Sequence, residues 1–127
     1  MRETYMTVSN VEFYDALCAD AKECETNWTV SRHVKRGDRI PIYIGHPIMA
    51  IVAEGEASTD AELDDDPSSM WFNHYLVDIH NLRMLDKPIT RATLMSEIPD
   101  WGWPRQPRAF ARVPKQHLLT LERLLVG

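Results

Sequence analysis

The stretch from Trp28 to Asp60 constrains this chain most. Trp28-Thr29-Val30 is dense in strand-favouring residues. Arg36-Gly37-Asp38 then reads as a tight turn, with glycine supplying a backbone conformation that other residues avoid. Ile40, Ile42 and Ile44 alternate with Tyr43, so the isoleucines face one side of a strand and the tyrosine the other. Pro41 lacks a donor N–H, which favours an edge or bulged position. Gly45-His46-Pro47 is a second turn. Ile48 to Val52 is an unbroken apolar run, as expected of a strand covered on both faces, and it continues to about Ser58. Three strands and two short turns make a sheet, and the rest of the chain has to cover it.

The flanking segments supply that cover. Tyr5-Met6-Thr7-Val8 reads as a lead-in strand. Ser9 followed by Glu12 matches a capping box, which predicts a helix start. Val11, Tyr14, Leu17, Cys18 and Ala21 fall at helical spacing, and the helix should fade near Glu23. Downstream, Trp71 to Leu82 is expected to be a strand, with Trp71 in the core, and Leu85 to Ile89 a turn. Thr90 is placed to cap a short helix over Arg91–Glu97. Three prolines, a glycine and two tryptophans exclude regular structure over Pro99–Pro107. Arg108 to Val113 can form a last strand. Pro114 suits the first turn of a closing helix whose apolar stripe is Leu118, Leu121, Leu124 and Leu125. With no repeat and no linker, residues 1–127 read as one α+β domain of five or six strands and two or three helices.

Charge narrows the function. The net charge of −5 argues against an unspecific nucleic-acid coat. It is unevenly spread: Glu54 to Asp66 holds seven acids and no base, Arg32 to Arg39 four bases against one acid, and Trp101 to Lys115 four bases and no acid. The acidic run reads as a solvated loop. No apolar run is long enough to span a membrane, and the N-terminus lacks the apolar core of a secretion signal, so a cytoplasmic location is expected. Cys18 and Cys24 fit neither a redox pair nor a zinc knuckle.

Catalytic motifs are absent. The five histidines are scattered, and no third ligand accompanies His74 and His80 at metal spacing, so neither metal nor cofactor is expected. Nucleophile elbows, phosphate loops and dinucleotide fingerprints are missing. Asp38 beside Gly37 could act as a base but is expected to build the turn. The better lead is aromatic. Trp101 and Trp103 sit in a stiff loop followed by Arg105 and Arg108, a pattern suited to stacking on a flat ring with cations reaching phosphates, or else to plugging one end of the sheet. Trp28 opens a strand beside the basic segment and can wall a pocket with a positive rim. Ser9, Asn10 and Ser31 could hydrogen-bond the edge of a bound base, although capping alone would also account for Ser9 and Asn10.

Taken in order, these elements resemble the EVE domain, in the PUA-like superfamily with the YTH and ASCH domains. The likeness rests on Tyr5–Glu23, Trp28, the Lys35-Arg36-Gly37-Asp38 turn into Ile42-Tyr43-Ile44, the strand ending at Asp60, Trp71 ahead of Val77-Asp78-Ile79, Lys87-Pro88-Ile89-Thr90 before a short helix, and Arg108 to Leu125. It departs from the pattern at Tyr5, where a Trp is usual, and at Ser31-Arg32, where Arg-Asn is common. The resemblance implies a PUA-like pseudo-barrel of mostly antiparallel strands holding a pocket for one flipped-out base. It also implies a nucleic-acid partner, DNA or RNA, carrying a modified base. In that reading Trp28 stacks on the base, Trp101 or Trp103 closes the cage, Ser9, Asn10 and Ser31 read the base edge, and Arg32, Lys35, Arg105 and Arg108 meet phosphates. Two alternatives stand beside it: a small ASCH-like enzyme on nucleic acid or nucleosides using Asp38, Asp78 or Lys35, and a protein-interaction module docking through the Trp/Pro-rich loop.

Overall fold

A computed structural model of the chain describes residues 2–126. Six strands form one curled sheet: β1 (Thr7–Ser9), β2 (Glu25–Val30), β3 (Arg39–Ile44), β4 (Ala50–Ala57), β5 (Glu62–Leu63) and β6 (Tyr75–Thr90). The main order is β1-β3-β4-β6-β2, with β5 also on β6. Among the named strands of the described residues, β1–β3 pairs parallel and the other pairs are antiparallel. The two ends of the sheet curl towards each other, and Thr7 Oγ1 of β1 donates to the Thr29 carbonyl of β2 at 2.9 Å. The result is the expected pseudo-barrel, flanked by α1 (Tyr14–Lys22), α2 (Arg91–Glu97) and α3 (Lys115–Val126). None of the helices is long and apolar enough to cross a membrane among the described residues.

The isoleucine alternation decides the register. Ile40, Ile42 and Ile44 are fully buried in one cluster with Leu17, Trp28, Val52 and Val77. Tyr43 enters a second cluster with Met6, Ile51, Leu94, Leu121 and Leu125. Burying each isoleucine stabilises by about 1.5–3 kcal/mol, and a one-residue slip would turn all three over together. Gly37 takes the turn with φ +94°, a conformation open to glycine. Pro41 stands in register opposite Glu54, one residue before the shift between Ile42 and Tyr43. Thr90 caps α2 by accepting from the Thr93 N–H at 3.1 Å.

Four local expectations are corrected. Ser9 ends β1 rather than forming a capping box; Asn10 precedes a 3-10 turn (Val11–Phe13) with no side-chain cap, and α1 follows it. Trp71 does not open a strand and is only half-buried: Asp64 and Asp66 draw in the hydroxyls of Ser69 and Ser68, and successive turns run to Asn73 at φ 66° before β6 begins. The turn expected at Leu85–Ile89 is a large bulge inside β6, where Met84 to Ile89 lie opposite only Ala53 to Ile51. Leu85 and Ile89 anchor that bulge in the second cluster, leaving Asp86, Lys87 and Pro88 outside. Finally, Arg108 to Val113 contributes only a bridge between Arg112 and Tyr5, because Phe110 at φ 70° interrupts the extended run.

Candidate functional site

The curled sheet closes through few direct bonds between β1 and β2, and a cavity of about 180 Å³ opens beside that seam. Its lining comes from Ser9 on β1, Phe13, Ala16 and Asp20 on the helical segment, Asn27 to Thr29 on β2, Trp71 and Leu76. Phe13, Ala16 and Asp20 recur at helical spacing, so one stripe of the helical segment faces the cavity. Trp28 is 8% exposed and forms part of the interior cluster. Its Nε1 is buried without a hydrogen-bond partner. Phe13 and Trp71 meet with ring centroids 5.5 Å apart and planes tilted by 48°. The cavity thus has three aromatic walls. At the helix side, the Asp20 carboxylate accepts from Thr26 Oγ1 at 2.6 Å. The volume lies below the roughly 300 Å³ of drug-sized pockets and suits one ring-sized group.

A second, more open hollow of about 350 Å³ adjoins it, lined by Val30 to His33, Asn73 to Tyr75, and Phe110. The two share the β2–β6 ladder, where Thr29 pairs with Leu76 and Val30 with Tyr75. Trp71 of the first touches His74 of the second edge-on, at 6.1 Å between centroids. Arg32 is exposed here, and its Nε donates to His33 Nε2 at 3.4 Å. The aromatic cavity therefore opens beside a hollow bearing an arginine and two histidines.

The residues singled out from sequence separate into groups. Trp28 and Ser9 line the aromatic cavity, while Ser31 and Arg32 line the adjoining hollow. Ser31 Oγ is already engaged, accepting from the His33 N–H at 3.2 Å. Asn10 is exposed, and its amide reaches Glu12 at 3.4 Å. Lys35 is exposed on the turn that follows Arg32. Trp101 and Trp103 are not brought to Trp28. They stack on each other at 5.2 Å in the second cluster, where Tyr43 meets Trp103 edge-on and Trp103 Nε1 donates to the Arg108 carbonyl at 2.9 Å. They cover the outer face of the sheet, and the aromatic rings beside Trp28 in the cavity are those of Phe13 and Trp71. Their burial also removes the flat surface pair on which a Trp/Pro docking loop would depend. Arg105 and Arg108 are exposed beyond the plug, with the Arg105 carbonyl accepting from Arg91 at 3.1 Å.

Of the two carboxylates considered for catalysis, Asp38 is built into the turn and Asp78 is exposed. Asp38 is 3% exposed, and its two oxygens accept from the N–H groups of Glu3 and Lys35 at 3.0 and 2.8 Å. Asp78 accepts from the Asn27 amide at 2.9 Å.

No family model and no curated protein matches the chain. Solved structures do. A hypothetical protein from Leishmania major aligns at TM-score 0.76 and 18% identity, covering 99% of this chain and 96% of its own. The human THYN1 protein, solved in complex with DNA containing 5-methylcytosine, aligns at 0.71 and 17%, covering 98% of each chain. An ASCH protein from Zymomonas mobilis aligns at 0.64 and 14%, covering 97% of this chain and 96% of its own. At such identities the likeness is one of architecture: the chain is built on the PUA-like pseudo-barrel.

Proposed function

We propose that this chain is a reader of the EVE type, taking a single modified nucleobase, flipped out of DNA or RNA, into the cavity between Phe13, Trp28 and Trp71. The observation that carries this reading is a ring-sized cavity with three aromatic walls beside the seam of the barrel. A fold neighbour solved with 5-methylcytosine DNA supports it. Extruding a base costs a few kcal/mol of stacking, and aromatic walls together with hydrogen bonds to the base edge offset that cost. Trp28 is the wall, Phe13 and Trp71 close the cage, and Ser9 reads an edge. Ser31, Asn10, Arg32 and Lys35 serve at the rim, where Arg32 meets the phosphate beside the extruded base. Arg105 and Arg108 lie outside this footprint.

The test is titration with oligonucleotides of one sequence, with and without modified bases, following tryptophan fluorescence. A modified oligonucleotide should perturb the signal and bind more tightly than its parent. Trp71→Ala should weaken binding by about 1–3 kcal/mol, the value of one stacked base. If no modified oligonucleotide binds, or if Trp28→Phe and Trp71→Ala both leave binding unchanged, the reading fails.

A further inference from the structure

The polar group that the helical segment contributes to the aromatic cavity is a carboxylate. Phe13, Trp28 and Trp71 present aromatic rings, and Asp20 stands among the lining residues while no lysine or arginine does. Around it the chain is acidic: Glu12 precedes Phe13, and Glu62 to Asp66 run close by through β5, which pairs Glu62 with Leu76 of the cavity lining. Aromatic faces carry negative quadrupoles, so rings plus a carboxylate favour a delocalised or methylated cation over a neutral ligand. A neutral base offers that carboxylate no charge partner beyond the hydrogen bond it already accepts from Thr26 Oγ1.

The adjoining hollow carries the opposite character. Arg32, His33 and His74 line it, and Trp71 and His74 connect the two spaces. One cavity thus suits a cationic ring and its neighbour suits an anion. A nucleotide whose base is positively charged through methylation of a ring nitrogen carries both charges on one unit. A trimethylated lysine would satisfy the cage alone and would leave the arginine-bearing hollow unused.

We propose that the cavity selects a cationic, ring-N-methylated nucleobase, such as 3-methylcytosine or 1-methyladenine, with Asp20 as the residue that distinguishes it from a neutral isomer. This rests on the base-reading function above and names its ligand class. The methyl group fills the aromatic cage, the ring charge faces the Asp20 carboxylate, and the phosphate of the same nucleotide lies towards Arg32.

Isomeric pairs provide the test, because they hold size and composition fixed while changing charge. Single-stranded oligonucleotides of one sequence would carry 3-methylcytosine or 5-methylcytosine, and 1-methyladenine or N6-methyladenine. The cationic member of each pair should bind about tenfold more tightly or better. Asp20→Asn retains an acceptor for Thr26 and should erase that preference, with thermal melting confirming the fold. Equal or tighter binding of the neutral isomers, or a preference that survives Asp20→Asn, overturns the cation assignment while base reading stands. Failure of every modified oligonucleotide overturns both. Tighter binding of a trimethyl-lysine peptide than of any oligonucleotide overturns the nucleotide assignment in favour of an amine cage.

Discussion

Among the described residues, two buried side-chain polar atoms lack partners, and they have different meanings. Tyr43 Oη sits in the second cluster against Trp103, with no hydrogen bond, and burial pushes its pKa above the ordinary 10.0. A buried hydroxyl without a partner incurs a desolvation cost that removing it relieves. Tyr43→Phe should therefore leave stability within about 1 kcal/mol of the parent or raise it, as measured by urea unfolding. A loss of 2 kcal/mol or more would mean that the hydroxyl does have a partner. Trp28 Nε1 is the other orphan, but its ring also walls the cavity. Asp38 is the opposite case, a buried carboxylate with both oxygens occupied. Asp38→Ala would strand the Glu3 and Lys35 N–H groups and should cost about 1–3 kcal/mol per donor that water cannot reach. Nucleic-acid binding should persist wherever the variant is folded; its selective loss, with stability unchanged, would restore Asp38 as a functional group.

At the scale of elements, one buried carboxylate ties four pieces together. Glu54 of β4 is 6% exposed and accepts from Arg39 Nε of β3 at 2.6 Å and from Arg83 Nη2 of β6. Arg83 also donates to the Leu125 carbonyl of α3 at 2.7 Å, while Arg39 approaches Glu122 of α3 at 3.7 Å. Burial alone would raise the Glu54 pKa; the hydrogen bonds and charges of the two arginines outweigh it and hold the carboxyl below its ordinary 4.5. A depressed carboxylate stabilises the fold fully above its unfolded pKa and loses that contribution as pH falls through the folded one. Glu54→Gln should thus lower Tm clearly at pH 7, and the gap to the parent should narrow as pH drops below about 4.5. A gap independent of pH would show that shape rather than charge matters at this position. Sequence patterning makes the strands that meet here legible from Ile40 to Ile44 and from the apolar run Ile48 to Val52, although the second strand begins only at Ala50, after a turn that takes in Ile48. It does not reveal the network, because Glu54, Arg39 and Arg83 come together only through the β3–β4–β6 register. The same limit hid the cavity. Trp28 was legible as a lining residue because it sits among the strand-favouring residues Trp28-Thr29-Val30, although the strand itself begins earlier, at Glu25. Phe13 and Trp71 become its partners only once the acidic segment folds back through nested turns, a conformation with no period to read. Trp101 and Trp103 resembled a surface platform because prolines and arginines surround them, yet apolar burial decided their place.

For the whole molecule, charge sets how a nucleic acid could be held. The chain has a net charge of −5, and the acids from Glu62 to Asp66 run beside the cavity through and beyond β5. A long polyanion would meet repulsion over much of this surface, so the basic contacts have to be few and local to the Arg32–Lys35 rim. The salt dependence of binding counts such contacts, because each phosphate neutralised on a single strand contributes a slope of about −0.7 in log K against log salt. Binding of a single-stranded oligonucleotide bearing the preferred modified base should give a slope of about −0.7 to −1.5, corresponding to one or two phosphates. Arg32→Ala should flatten that slope by about 0.7 and weaken modified and unmodified oligonucleotides alike, leaving the preference between bases intact. Arg105→Ala and Arg108→Ala should change neither quantity, since neither arginine lines the aromatic cavity or the adjoining hollow. A slope steeper than about −4 would mean that an extended backbone track holds the strand. Preference between bases lost through Arg32→Ala would move discrimination from the aromatic cavity to the rim.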